Sequence, residues 1–101
     1  MSLVKLVNLQ EKEEKTYFAL NNPLRSWIIE LLQSYKALTL SDLAGFLHIS
    51  LGRCCYHLDN LNGLVKQDKQ QRYFLSDDGL QAYNSFVEPR NSIKNIVQIM
   101  K

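Results

Sequence analysis

The sequence predicts a mainly α-helical protein that carries one small β-hairpin. Apolar residues recur at helical spacing in several short segments, and residues that cap or end helices separate these segments. Leu64–Gln67 and Arg72–Leu75 have the pattern of two short strands on either side of a polar tip at residues 68–71. A length of 101 residues with 46% hydrophobic composition suits one domain with one core.

The first third of the chain predicts two helices separated by a capped proline. Leu3–Leu9 mixes apolar spacings of two, three and four residues, so strand and helix both stay open there. Thr16–Leu20 follows a charged segment and predicts a first helix. Asn22 is expected to cap the next helix and Pro23 to take its first position, where no amide donor is needed. One broad apolar face is expected on that helix, made by Trp27, Ile28, Leu31, Leu32 and Tyr35.

A short helix is expected next, within the segment Thr39–Ser50. Ser41 is a good N-cap, and Asp42 in the first turn suits the helix dipole. The side chains expected to face inward are those of Leu43, Phe46 and Leu47.

A second short helix, Leu51–Asn62, is expected after a tight turn, with Ser50 as its cap and Gly63 as its end. Its core side is fixed by residues that recur at positions i, i+4 and i+7, namely Cys54, Leu58 and Leu61. The residues expected to point away from the core are Gly52, Arg53, Tyr56 and Asn60.

Two more helices are expected behind the hairpin. Ser76–Asp78 begins one that runs to about Val87, and Pro89 breaks it. A helix over residues 91–101 is predicted by an apolar stripe of Ile93, Ile96, Val97 and Met100. Because the chain shows no linker or repeat, residues 1–101 are expected to form a single domain.

Two short helices joined by a tight turn and followed at once by a hairpin are the outline of a winged helix-turn-helix, here with extra N- and C-terminal elements. Over residues 17–83 the sequence also resembles the ArsR-type (arsenical-repressor-like) regulators. The segments that carry the resemblance are Leu20–Arg25 with Ile28–Leu32, Leu40–Ala44, Ile49–Ser50 with His57, Leu58 and Leu61, Gly63–Val65, and Tyr73–Gly79.

This resemblance implies a sequence-specific, double-stranded-DNA-binding transcriptional regulator. The recognition helix 51–62 would lie in the major groove, and the hairpin 64–75, called the wing below, would meet the backbone or the minor groove. Arg53 is the leading candidate for a base-edge contact, since its guanidinium can make two bonds to guanine. The residues expected to contact DNA are Ser50, Gly52, Arg53, Cys55, Tyr56, Lys66, Lys69, Gln70 and Arg72.

The C-terminal stripe leaves two arrangements open, because it either folds back onto its own core or pairs with a second copy. The terminal helices of the resembling family pair, which favours a homodimer with its dimerisation surface at Ile93, Ile96, Val97 and Met100. Such a dimer would recognise a pseudo-palindromic site with half-sites about 34 Å apart.

Neither a metal site nor a catalytic site is expected. The Cys-x-Cys of the family's metal sensors has no counterpart in residues 37–41, which hold no thiol or imidazole. Cys54 is expected to be a small core residue and Cys55 a lightly packed thiol, because a closed zinc site needs about four ligands. Neither His48 nor His57 lies in a nucleophile motif, so an enzyme is not expected. No cofactor and no small-molecule effector is expected either, because the sequence shows neither a metal motif nor an effector domain.

A second function stays open, that of a winged-helix protein-protein interaction module without DNA binding. The whole chain has a net charge of +2, yet residues 41–80 hold four basic and five acidic residues, a net charge of −1. Leu51 stands where the family often has a polar residue, and Asp59 stands where a lysine is common. All three observations favour the interaction module.

The setting expected from the sequence is cytoplasmic, without a membrane partner. No apolar run approaches the roughly 18–20 residues that span a bilayer, and the N-terminus lacks the pattern of a secretory signal. The two cysteines are adjacent and cannot join distant segments, which is typical of a reducing compartment.

Overall fold

The computed structural model describes the backbone of residues 3–89 and the side chains of residues 11–89. Its elements in chain order are α1 (Leu3–Leu20), α2 (Pro23–Tyr35), α3 (Leu40–Leu47), α4 (Leu51–Asp59), β1 (Val65–Gln67), β2 (Tyr73–Leu75), α5 (Asp77–Ala82) and a π-helical turn (Tyr83–Val87). The predicted fold class, mainly α-helical with one hairpin, is confirmed. The predicted helix 91–101 lies outside the described residues.

The N-terminal segment is one continuous helix. Leu3–Leu9, for which strand and helix were both open, is the first half of α1. Asn22 then caps α2 as predicted, because its Oδ1 accepts the Leu24 amide at 3.0 Å and the Arg25 amide at 3.4 Å. Pro23 occupies the first turn.

The buried face of α2 differs from the predicted one. Ile28, Ile29 and Leu32 are fully buried, whereas Trp27 and Tyr35 are half-exposed. Helix α2 packs against α1, α3, α4, β2 and the π-helical turn, so its buried face is set by neighbours on several sides. That surrounding brings Ile29, which is not part of the predicted apolar face, into the core.

Helix α3 begins at Leu40, because Thr39 and not Ser41 is its N-cap. The Thr39 hydroxyl accepts the Asp42 amide at 3.1 Å, and the Asp42 carboxylate accepts the Thr39 amide at 3.1 Å, which forms a capping box. The predicted inward position of Phe46 is also wrong. Phe46 is 48% exposed and packs against the Tyr35 ring, with centroids 5.2 Å apart.

Helix α4 is capped by Ser50 as predicted but ends at Asp59, three residues before the predicted Asn62. The chain leaves the helix early because Leu61, which is fully buried, turns into the core, where its carbonyl accepts the amides of Leu64 and Val65. Gly63 is therefore not the helix cap. It lies in the following turn with φ +94°, where glycine is favoured. The predicted core side, Cys54, Leu58 and Leu61, is confirmed.

The wing is an antiparallel hairpin in which Val65 pairs with Leu75 and Gln67 with Tyr73. A further segment joins it, since the Leu38 amide donates to the Tyr73 carbonyl at 3.0 Å and the Tyr73 amide to the Leu38 carbonyl at 2.7 Å. The loop before Leu38 contains a γ-turn centred on Lys36, which has φ 73° and ψ −51°.

Helix α5 is held tightly against the base of the wing. Ser76 caps it, with its hydroxyl accepting the Gly79 amide at 3.0 Å and donating to the Gly63 carbonyl at 2.6 Å. Gly79 faces the Leu64 carbonyl so closely that a Cβ there would overlap it. The helix continues through the π-helical turn to Pro89, where the described residues end.

Candidate nucleic-acid interface

Helices α3 and α4 form the helix-turn-helix, and the turn between them fixes where α4 begins. His48 ends α3 in the left-handed conformation, with φ 55° and ψ 45°. Two residues later the Ser50 hydroxyl accepts the Arg53 amide at 3.1 Å and starts α4. The Ser50 side chain is exposed, although its hydroxyl already serves as the cap of α4.

The outward face of α4 holds the residues that the sequence placed there. Gly52, Arg53 and Tyr56 are exposed, and Cys55 is partly buried. Beyond its own helix, no described part of the chain comes within 4 Å of a Cβ placed on Gly52, so this part of the helix is open to an approaching surface. The Arg53 guanidinium makes no hydrogen bond or ion pair with residues 11–89. Leu51, at the leading end of the same face, is 52% exposed.

The tip of the wing is organised by one carboxylate. Asp68 accepts the amides of Gln70 and Arg72 at 2.9 Å each, and the Arg72 Nε at 3.0 Å. These bonds, led by the Arg72 amide, lower the pKa of Asp68. Arg72 is therefore engaged within the wing. The side chains of Lys66, Lys69 and Gln70 are exposed and make no hydrogen bond or ion pair in the described part of the chain.

The base of the wing lies beside α4. Tyr73 on β2 has its pKa raised by burial first, and then by the nearby Cys55 and Asp59 of α4. Tyr73 at the base of the wing is therefore near α4.

A contact between α2 and α4 was not predicted from the sequence. His57 is only 4% exposed, and its Nδ1 accepts the Arg25 Nε at 3.2 Å. The Arg25 guanidinium also lies 5.9 Å from the centre of the Tyr56 ring. Burial lowers the pKa of His57, and the charges of Arg25 and Arg53 lower it further. Arg25 and His57 are 32 residues apart, so no local pattern could reveal the pair.

The cysteines occupy different environments. Cys54 is fully buried in the core, and burial, followed by the neighbouring Cys55, raises the pKa of its thiol. Cys55 is partly exposed. Within residues 11–89 no three potential metal ligands among His, Cys, Asp and Glu come together. In the same part of the chain, no helix is long and apolar enough to cross a membrane.

Comparison with known proteins identifies the fold through solved structures alone. No family model and no curated protein matches the sequence. The chain is similar to the YusO protein from Bacillus subtilis, with a TM-score of 0.64 and 14% identity over 98% of this chain and 79% of that one. It is also similar to the reduced form of MarR from E. coli, with a TM-score of 0.57 and 16% identity over 99% and 93% of the two chains. The fold is a winged helix-turn-helix. At these identities the likeness concerns the fold.

Proposed function

We propose that this chain is a transcription regulator that binds double-stranded DNA through α4 in the major groove and the wing on the backbone or in the minor groove. The observation that carries the proposal is the outward face of α4. It offers Arg53 without a partner among residues 11–89, beside a glycine that leaves room for close approach. Both similar structures are winged-helix regulators, which supports this class of function.

The residues predicted to contact DNA differ in whether their side chains are already engaged in hydrogen bonds within the protein. Arg53 and Tyr56 are exposed on α4 and are proposed to reach base edges, with Gly52 and Cys55 lining the same surface. Ser50, which caps the helix, offers its remaining hydrogen-bonding capacity to a phosphate. On the wing, Lys66, Lys69 and Gln70 are free to meet phosphates. Arg72 is paired with Asp68, so its contribution to DNA binding is expected to be smaller.

The proposal also includes the oligomeric state, the family type and the cellular setting that the sequence predicts. We propose a homodimer that binds a pseudo-palindromic site, with its dimerisation surface at Ile93, Ile96, Val97 and Met100, which lie outside the described residues. The assignment to the ArsR type rests on the motifs of residues 17–83, and the cytoplasmic setting also remains a prediction.

The test is fluorescence anisotropy on random-sequence duplex DNA, titrated from about 50 to 200 mM salt. Binding in the micromolar range or tighter, with a steep loss of affinity as salt rises, is expected. Lys66→Ala and Lys69→Ala should each reduce the slope of log affinity against log salt by about 0.9. Lys15→Ala removes the same charge from the exposed surface of α1 and should leave the slope unchanged. Equal slopes for all three variants would refute the assignment of the wing.

A second function is favoured by one specific observation, the exposed Leu51 at the leading end of α4. An apolar side chain there, with the exposed Asp59 on the same helix, suits a protein partner better than phosphates. Absence of DNA binding at the lowest salt would favour this interaction module over the regulator. Binding to DNA that improves in Leu51→Gln would exclude Leu51 as an essential contact to DNA.

A further inference from the structure

Arg25 belongs to α2 in sequence, but its side chain lies along the flank of the recognition helix. Its Nε donates to the His57 Nδ1 at 3.2 Å, and its Nη1 donates to the Ala19 carbonyl at 3.4 Å. The guanidinium also lies 5.9 Å from the centre of the Tyr56 ring, within the range of a cation–π contact. Three elements, α1, α2 and α4, therefore hold this one side chain in place.

His57 acts as a fixed acceptor for this arrangement. A ring nitrogen that accepts a hydrogen bond carries no proton, so the neutral His57 has its proton on Nε2. Because His57 is almost fully buried, its ring has little freedom to leave the guanidinium. Of the two terminal nitrogens of Arg25, Nη2 makes no hydrogen bond with residues 11–89. The group is thus oriented, with donors still available.

The charge around this site is positive, and no carboxylate in the described part of the chain forms an ion pair with it. Arg25 and Arg53 are the two charged groups that perturb His57, and both lower its pKa together with burial. Neither forms an ion pair with a carboxylate in the described part of the chain. A guanidinium hydrogen-bonded to one buried, neutral imidazole favours an anion, and the planar fork of arginine matches the oxygens of a phosphate.

We propose that Arg25 contacts a DNA phosphate at the edge of the groove that α4 enters, and that His57 and Tyr56 position its guanidinium for this contact. The inference rests on the proposed function and extends it to a residue outside the helix-turn-helix and the wing. His57 is a positioning residue here, since it acts through Arg25. A guanidinium held in place before binding loses less side-chain entropy when it meets the phosphate.

The salt dependence of binding tests the proposal. The measurement compares the wild type with Arg25→Gln on random duplex DNA between about 50 and 200 mM salt. Arg25→Gln keeps an N–H donor for His57 but removes the charge, so the slope should fall by about 0.9. Over this four-fold salt range, the affinity advantage of the wild type should therefore shrink about 3.5-fold. Arg25→Lys keeps the charge and should keep most of the slope.

Two controls separate this inference from a general loss of structure or of function. Thermal unfolding followed by circular dichroism checks the fold of each variant, and Arg25→Ala serves as a second neutral variant. If the wild type binds with a steep slope and folded Arg25→Gln and Arg25→Ala share it, the phosphate contact is refuted while the regulator stands. If the wild type itself does not bind, the proposed function fails and this inference fails with it.

A readout without DNA tests the positioning. In the free protein, nitrogen NMR should find His57 in the Nε2–H tautomer and the Arg25 Nε proton protected from exchange with water. An Nδ1–H tautomer, or a rapidly exchanging Arg25 Nε proton, would refute the role of His57.

Discussion

Replacing Gly79 by alanine should strongly destabilise the protein, although alanine is the better helix former. A Cβ at this position would overlap the Leu64 carbonyl oxygen and would lie 3.0 Å from the carbonyl carbon and 3.3 Å from Leu75 Cδ2. The oxygen belongs to the backbone, so no side-chain rotation relieves the overlap. Helix α5 and the base of the wing must separate.

The size of the effect follows from what that separation breaks. The Leu64 carbonyl accepts the Ser76 amide at 3.0 Å, and the Ser76 hydroxyl donates to the Gly63 carbonyl at 2.6 Å. Each bond contributes about 1 kcal/mol. Overpacking costs a further ~1–3 kcal/mol, and the helix propensity of alanine returns about 1 kcal/mol. We expect the free energy of unfolding to fall by about 3 kcal/mol, which lowers Tm by roughly 15 °C for a chain of this size.

Urea unfolding followed by circular dichroism measures this change, and the chain offers a matched control. Gly45 lies in α3 and is exposed, and outside its own helix no residue that the structure describes comes within 4 Å of a Cβ placed on it. Gly45→Ala should therefore raise the stability by about 0.5–1 kcal/mol. Equal stability of Gly79→Ala and the wild type would refute the close approach of α5 to the wing. Destabilisation by both variants would instead show that helix propensity has been judged wrongly.

Three further outcomes are expected. Lys36→Gly should raise the free energy of unfolding by about 1 kcal/mol, because glycine adopts the positive φ of the γ-turn without strain. The control Ser34→Gly, in the preceding helix, should lower the free energy of unfolding by a similar amount. A loss of stability in Lys36→Gly would contradict the turn geometry. Because the pKa of His57 is lowered in the folded protein, the contribution of His57 to stability should be complete above pH 6.5. It should decline as the pH falls below that value, since the unfolded chain then binds the proton more readily. Urea midpoints between pH 8 and 5 measure this decline, which should be absent from the His57→Phe variant. A thiol reagent should modify Cys55 in the native protein and reach Cys54 only after unfolding, because Cys54 is fully buried and the pKa of its thiol is raised. Rapid modification of both cysteines in the native protein would argue against the described core.

The sequence predicted the elements that rest on local signals. Asn22 and Ser50 each have a side-chain oxygen in capping position before a helix, and both caps are confirmed. The core side of α4 was also predictable, since Cys54 and Leu58 repeat at helical spacing and both are buried. These features depend on residues within one or two turns of one another, which is the range over which a single sequence is informative.

The errors arose where distant segments decide the outcome. Phe46 lies on the predicted inward face of α3, yet it meets Tyr35 on the surface because Leu43 and Ala44 fill the space towards the core. Ser41 is as good a cap as Thr39 by residue type. Thr39 is nevertheless the N-cap of α3, because Asp42 completes the reciprocal pair of hydrogen bonds with it.

In the candidate site, too, the features set by local sequence were predictable and those set by distant segments were not. The exposure of Gly52, Arg53 and Tyr56 followed from the helical period alone. The ion pair between Asp68 and Arg72 is local, yet the sequence only indicates a polar tip, so Arg72 is among the residues expected from it to contact DNA. The hydrogen bond from Arg25 to His57 needs α2 and α4 side by side, and only the folded chain supplies that neighbourhood.

The two hydrogen bonds between Leu38 and Tyr73 bear on where this chain tolerates a change of length. They tie the connection between α2 and α3 to the wing, so an inserted residue there would shift β2 and α3 relative to each other. The tip at residues 68–71 closes onto its own carboxylate and carries no such tie to the helices in the described part of the chain. Longer or shorter wings are therefore compatible with this scaffold, and a protein engineer would vary the tip while leaving residues 36–39 at their present length.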